Sequence, residues 1–241
     1  MDILFWIQSN PKILIDHTTK KYFNKYLYKL VVYAPAGRLI DSKDEIAPAL
    51  QHRKDVSKSI NYGGYWGNRH NKDLDQANVE FLTVLRDIRR DDKLNVKLRV
   101  EEPRVQIYAE TNEELVALFN SHLKPFADLV EVYAGPASNK IADVLNTGAI
   151  IRKTDIGFSH KVILRDGRYT PELKRTLLTY LENLGPNTIK LPKSCCQMLS
   201  KSNGFIWNLY FYTNDPSILT FVTLMHPGIV SNIHELVVEH Q

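Results

Sequence analysis

Cysteine is scarce in this sequence: there are two in 241 residues, and they stand side by side as Cys195 and Cys196. Adjacent cysteines do not close a relaxed disulfide with one another. Without histidines at ligand spacing they do not make a zinc site either, and His52 and His70 are too scattered to complete one. Both read as free structural thiols of a reducing, intracellular, cytoplasmic compartment. Long apolar runs are also missing. The N-terminal ILFWI has no basic flank and no small-residue cleavage site, and no later run approaches the roughly 18 residues of a membrane span. The chain is expected to be unanchored, without a membrane partner.

Catalytic signatures are absent as well. There is no Gly-x-Ser-x-Gly and no His-Glu-x-x-His, and no acidic pair falls before the acid-x-Lys spacing of metal-dependent nucleases on a strand pair. GGYWGN (63–68) follows no clean strand and lacks the Gly-Lys-Ser/Thr ending of a phosphate-binding loop. No cofactor and no metal is implied. The expectation leans away from an enzyme, although a site assembled from distant residues would leave no local motif.

What remains is a globular composition, 44% hydrophobic and 24% charged, in a chain long enough for one large or two small domains. Its basic excess is uneven. Residues 1–72 hold 12 Lys and Arg against 6 Asp and Glu, whereas residues 73–241 hold 19 against 21. An asymmetry of this kind points to a polyanionic partner, with a solvated basic face as the plainer reading. Abundant Asn, Lys, Ile and Tyr is the composition of an AT-rich genome, as many viruses and phages have.

The basic third opens with a short strand at 12–16. Lys20, Lys21, Lys25 and Lys29 then recur near helical spacing with Tyr22, Phe23 and Tyr26 between them, so a helix over 19–26 and a strand over 27–33 are expected. Residues 41–59 read as a loop with at most a short helix, and INYGGYWGNRHN (60–71) as a loop without periodicity. Asp73 caps a predicted helix over 74–90 with Phe81, Leu82, Leu85 and Ile88 on one face.

Beyond residue 92 the pattern becomes regular. Strands at 95–101 and 105–109 flank Pro103, Thr111 to Glu114 has the capping-box spacing before a helix, and 129–133 is a further strand. A short helix at 140–145 and a strand at 149–152 form a connection. The pattern restarts with a strand at 161–164, a turn at 166–167, a helix capped by Thr170 and stopped at Gly185, and an edge strand at 188–191. A turn at 193–204, one central strand over 205–213, a helix capped by Asp215, and a last helix or helix-strand element over 229–238 complete the prediction. VQIYAETNEELVALF (105–119) and LYFYTNDPSILTFV (209–222) echo each other: an apolar strand, then Thr-Asn-acid, then a helix. The echo suggests two related units, and the same residue types are favoured at any such junction.

The predicted fold is therefore α+β. It comprises a basic irregular part (1–92) packed on the rest, then two strand-strand-helix, ferredoxin-like units (93–159 and 160–241) with antiparallel or mixed sheets covered by amphipathic helices. The leading functional expectation is a non-catalytic protein that binds single strands or RNA. Lys20, Lys21, Lys25, Lys29, Arg53, Lys54, Lys58, Arg69 and Lys72 would meet phosphates, while Tyr62, Tyr65 and Trp66 would stack bases. The same aromatics could instead fold onto the core. The alternative is a structural or assembly subunit, forming a homo-oligomer or engaging a protein partner through the aromatic loop and the apolar stretch 205–238. Asp155, His160 and Lys161, close in sequence, are better read as a solvated turn than as a catalytic cluster.

Overall fold

The structure is a computed structural model, and it describes residues 3–49, 51 and 76–239. The chain divides into two compact units, Met1–Asp143 and Val144–Gln241.

In the first unit the elements run α1 (Ile3–Ser9), β1 (Leu14–His17), β2 (Tyr28–Tyr33), α2 (Gln76–Arg90), β3 (Val96–Glu101), β4 (Arg104–Ala109), α3 (Asn112–Leu118) and β5 (Val130–Gly135), with α4 (Asn139–Asn146) at the boundary. The five strands form one mixed sheet in the order β1-β5-β2-β4-β3. Strands β5, β4 and β3 are joined by antiparallel ladders through β2 and β4, and β1 lies parallel to β5. Leu30, Val32, Val105 and Ile107 project to one side, where Trp6, Phe81, Leu82, Leu85, Ile88, Leu115 and Leu118 complete the core. The helical stripe read at 81, 82, 85 and 88 is thus the face that meets the sheet. Thr111 accepts from Glu114 N, and the Glu114 carboxylate returns to Thr111 N, which is the predicted capping box.

The second unit contains β6 (Ile150–Arg152), β7 (His160–Leu164), β8 (Gly167–Arg168), α5 (Pro171–Asn183), β9 (Ile189–Lys190), α6 (Lys193–Ser200), β10 (Phe205–Ile206), β11 (Tyr210–Thr213), α7 (Ile218–Met225) and β12 (Val230–Val238). Its sheet order is β6-β12-β7-β11-β9, and β8 with β10 forms a separate two-stranded ribbon. Val162, Leu164, Leu177, Leu181, Phe211, Leu219 and Val222 are central to its core. Thr170 caps α5 through Leu173 N, with Pro171 at the first helical position, and Gly185 ends that segment at φ 80°, where glycine is favoured.

The two sheets share one topology. In each, the second strand of the unit is central and antiparallel to both the last strand and the penultimate one. The first strand lies parallel to the last at one edge, and the strand after the first long helix closes the other. Without that extra first strand, β2-α2-β3-β4-α3-β5 and β7-α5-β9-β11-α7-β12 are both split βαββαβ units, the ferredoxin-like arrangement. The chain is α+β, as expected. The two Thr-Asn junctions occupy the same place in both units, after the penultimate strand and before the helix that returns to the last strand.

Several local expectations are replaced. The division falls after residue 143 and not at 92 and 159, because β1 and β2 are strands of the first sheet and β6 belongs to the second. Residues 19–26 are not helical. Phe23 and Asn24 have φ of 53° and 59°, and Tyr22 and Tyr26 pair across them as an isolated antiparallel bridge. Residues four apart meet in a helical turn and also across a tight reversal, so the Lys and Tyr spacing could not separate the two.

Residues 193–200 form a helix that buries Cys195 and Leu199, where a turn was expected. The predicted strand 205–213 is broken by Asn208 at φ 51°, whose N–H donates to Asp166. The last element is a nine-residue strand, held by β7 on one side and β6 on the other. Asp215 does not cap α7 at its own first turn. Its carboxylate accepts from Ser217 N, on the residue just before the helix proper, and α7 begins at Ile218 without a side-chain cap. The proposed cap Asp73 and the loop 60–71 lie outside the described residues.

Candidate nucleic-acid interface

Strand alternation gives the first sheet an outer face, turned away from its helices. Lys29, Val31 and Tyr33 of β2 stand there beside Tyr108, Gln106 and Arg104 of β4, which pair in turn with Lys97, Arg99 and Glu101 of β3. The reversal at 22–26 folds onto this face. Tyr22, Phe23 and Tyr26 gather on Tyr108 with ring centroids 5.1, 5.0 and 6.3 Å from it, which leaves Tyr108 3% exposed. Burial pushes the Tyr108 phenol up to about 12.

Three lysines sit over these rings. Lys97 Nζ lies 3.8 Å from the Phe23 centroid, Lys29 Nζ 5.1 Å from Tyr22, and Lys25 Nζ 5.2 Å from Tyr26. Phe23 remains 45% exposed and holds a left-handed backbone that a bulky residue rarely adopts. Carboxylates are interleaved with the cations. Lys25 bridges to Glu110 at 2.9 Å, Arg99 to Glu101 at 2.7 Å, and Arg104 to Glu131. The bonds from Asn95 and Lys25 hold the Glu110 carboxyl below the usual range, and the Glu110 hydrogen bond raises Lys25 in return.

Of the residues selected from sequence, Lys25 and Lys29 are thus brought to one aromatic cluster, with Lys20 exposed and Lys21 half-buried on the same segment. Arg53, Lys54, Lys58, Tyr62, Tyr65, Trp66, Arg69 and Lys72 lie outside the described residues. Sequence reasoning missed Lys97, Arg99 and Tyr108. Their signal was present: they occupy the polar phase of two alternating strands, the phase that faces away from the core.

At both Thr-Asn junctions the asparagine side chain is held by hydrogen bonds within the fold. Asn112 is buried, and its Oδ1 accepts from Trp6 Nε1 at 3.3 Å and from the Tyr133 hydroxyl at 3.0 Å. Asn214 ties three loop segments together, accepting from Ser159 N and donating to Gly157 O and Asn187 O. Asp155 accepts from Gly157 N, and the His160 ring meets Ser159 Oγ at 2.8 Å, so no three-membered relay forms. Among the described residues, no group of three His, Cys, Asp or Glu side chains could hold a metal ion, and no helix is long and apolar enough to cross a membrane. Burial pushes the Cys195 thiol up to about 12, and both cysteines are free.

No protein-family model, curated protein or solved structure matches this chain. The functional reading therefore rests on the geometry of the faces themselves.

Proposed function

We propose that the chain binds single-stranded nucleic acid through the outer face of the first sheet. The observation that carries this reading is the reversal at 22–26, which sets Lys25, Lys29 and Lys97 around an aromatic cluster whose outermost ring, Phe23, is open to solvent. Exposed rings accept any base by stacking, and flanking lysines neutralise phosphates, so such a face favours unpaired strands with little sequence preference. The interleaved Glu110 and Glu101 moderate the attraction, since a phosphate must compete with carboxylates already in place. Arg53, Lys54, Lys58, Arg69 and Lys72, with Tyr62, Tyr65 and Trp66, extend this proposal along the same basic third of the sequence.

The test is fluorescence anisotropy of labelled oligonucleotides with the full chain. Binding at about 50 mM salt should weaken steeply as salt rises. Lys20→Glu/Lys21→Glu/Lys29→Glu should weaken it throughout, whereas Phe23→Ala and Trp66→Ala should act selectively on single strands. Failure to bind any oligonucleotide at low salt would remove the reading.

A second reading has its own observation. Helix α7 buries Ile218, Leu219 and Val222 but presents Phe221 and Leu224 outward at 48% and 75% exposure. Two large apolar side chains three residues apart on one helix face suit a protein contact. An assembly subunit would sediment as an oligomer that Leu224→Glu dissociates; a monomer at micromolar concentration speaks against self-assembly.

A further inference from the structure

The outer face of the second sheet carries tyrosines where the first sheet carries Tyr108. Tyr210 stands three residues before Thr213, as Tyr108 stands three before Thr111, each on the penultimate strand and facing away from the helices. Their surroundings differ. In the first unit Tyr22, Phe23 and Tyr26 cover Tyr108 with the chain's own rings. Tyr210 and Tyr212 are both half-exposed, and among the described residues their ring neighbours are each other, with centroids 5.5 Å apart at 73°.

We propose that this face is a second platform for single-stranded nucleic acid, on which Tyr210 and Tyr212 take bases while Lys161, Lys190 and Arg152 meet the phosphates.

Charge and register support the assignment. Lys161 of β7 is the register partner of Tyr212 on one side and of His234 on the other, and its Nζ lies 4.0 Å from the Tyr210 centroid. Lys190 of edge strand β9 pairs with Tyr212 from the far side and is exposed. Arg152 of β6 projects to the same face, is close enough to Tyr212 to act on its hydroxyl, and leaves its Nε buried and unbonded. The five strands of this sheet contain one carboxylate, Glu235. It pairs in register with His160, in phase with Val162 and Leu164, and so belongs to the opposite face. Strand residues of the outer face are therefore cationic without an interleaved acid, unlike those of the first sheet, and that pattern complements a phosphate chain better than an ordinary protein surface. Half-exposed rings beside lysines on the outer face of a sheet are an arrangement on which unpaired bases stack. A base entering against Tyr210 would displace the Lys161 head from the ring toward the backbone it accompanies.

The experiment uses the full chain with fluorescein-labelled oligouridylate, oligodeoxythymidylate and a blunt duplex at about 50 mM salt. Tyr210→Leu/Tyr212→Leu should weaken binding to single strands at least about tenfold, and Tyr210→Phe/Tyr212→Phe should bind as the native chain does, because the ring and not the hydroxyl carries the stacking. Lys161→Gln/Lys190→Gln should flatten the slope of log affinity against log salt by about 1.4. Leucine variants that melt like the native protein and bind single strands as tightly would overturn the proposal, as would binding confined to the duplex. If the leucine variant does not fold, Lys190→Glu on the exposed edge decides: lost affinity supports the platform and unchanged affinity overturns it. Loss of binding in Lys20→Glu/Lys21→Glu/Lys29→Glu with silent changes at 210 and 212 would overturn this inference alone and leave the first sheet's reading in place.

Discussion

Asn112 offers the sharpest test of how the first unit is held together. Its side chain is 7% exposed and accepts from two buried donors, the indole N–H of Trp6 and the hydroxyl of Tyr133, whose residues are 0% and 1% exposed. Trp6 also stacks on Tyr133 at 4.9 Å and meets Phe119 edge-on, so neither donor can turn toward water. Asn112→Ala leaves both donors unpaired, at about 1 to 3 kcal/mol each. Alanine at the first position of α3 returns a few tenths of a kcal/mol in helix propensity, roughly, so the expected net loss is about 3 kcal/mol. With a urea slope near 2 kcal/mol per M, the midpoint of the first unit's transition, followed by Trp6 fluorescence in a Trp66→Phe/Trp207→Phe background, should fall by about 1.5 M. Tyr133→Phe removes one donor beforehand, so Asn112→Ala should cost about 1 kcal/mol less in that background. A midpoint shift below about 0.3 M, or strict additivity of the two changes, would refute the argument that unmet donors set the cost.

Other expectations follow from the same geometry. Thr111→Ala and Thr170→Ala each remove a side-chain cap and should lower stability by about 1 kcal/mol in urea melts. Lys174 is 1% exposed and donates to Lys201 O and Asn203 O, so Lys174→Met should destabilise the second unit by about 1 to 3 kcal/mol although it is nearly isosteric. Tyr108, raised to about 12 from the ordinary 10.0, keeps its proton longer when folded. Its contribution is full below pH 10 and is lost as pH climbs through that window, so Tyr108→Phe should flatten the alkaline fall in stability. Thiol reagents should label half-buried Cys196 well before buried Cys195, and denaturant should equalise the two; equal native rates would contradict the packing of α6.

The cap chemistry of Thr111 and Thr170 and the stop at Gly185 were legible because each depends on side chains within a turn of the element they bound. The stripes of α2 and α5 and the alternation in β3, β4 and β7 were legible for the same reason, since their periods are local. The reversal at 22–26 was not. Its spacing suits a helix equally well, and the rings of the distant Tyr108 and the bridge between Tyr22 and Tyr26 settle it. The break at Asn208 depends on Asp166, 42 residues away, and the length of β12 on the two strands that flank it.

The candidate faces divide in the same way. Basic residues concentrated in the first third, and the recurrence of strand, Thr-Asn and helix, are properties of the chain read in order, set by composition and by local hydrogen-bonding preference. The gathering of Lys29, Lys97 and Tyr108, and of Lys161, Lys190 and Tyr210, arises only when strands far apart in sequence become neighbours in register. The same register decides that carboxylates interrupt the first face and that Glu235 falls on the other side of the second. A strand's alternation says that every second side chain shares a face, but only pairing across the sheet determines which charges and rings that face brings together.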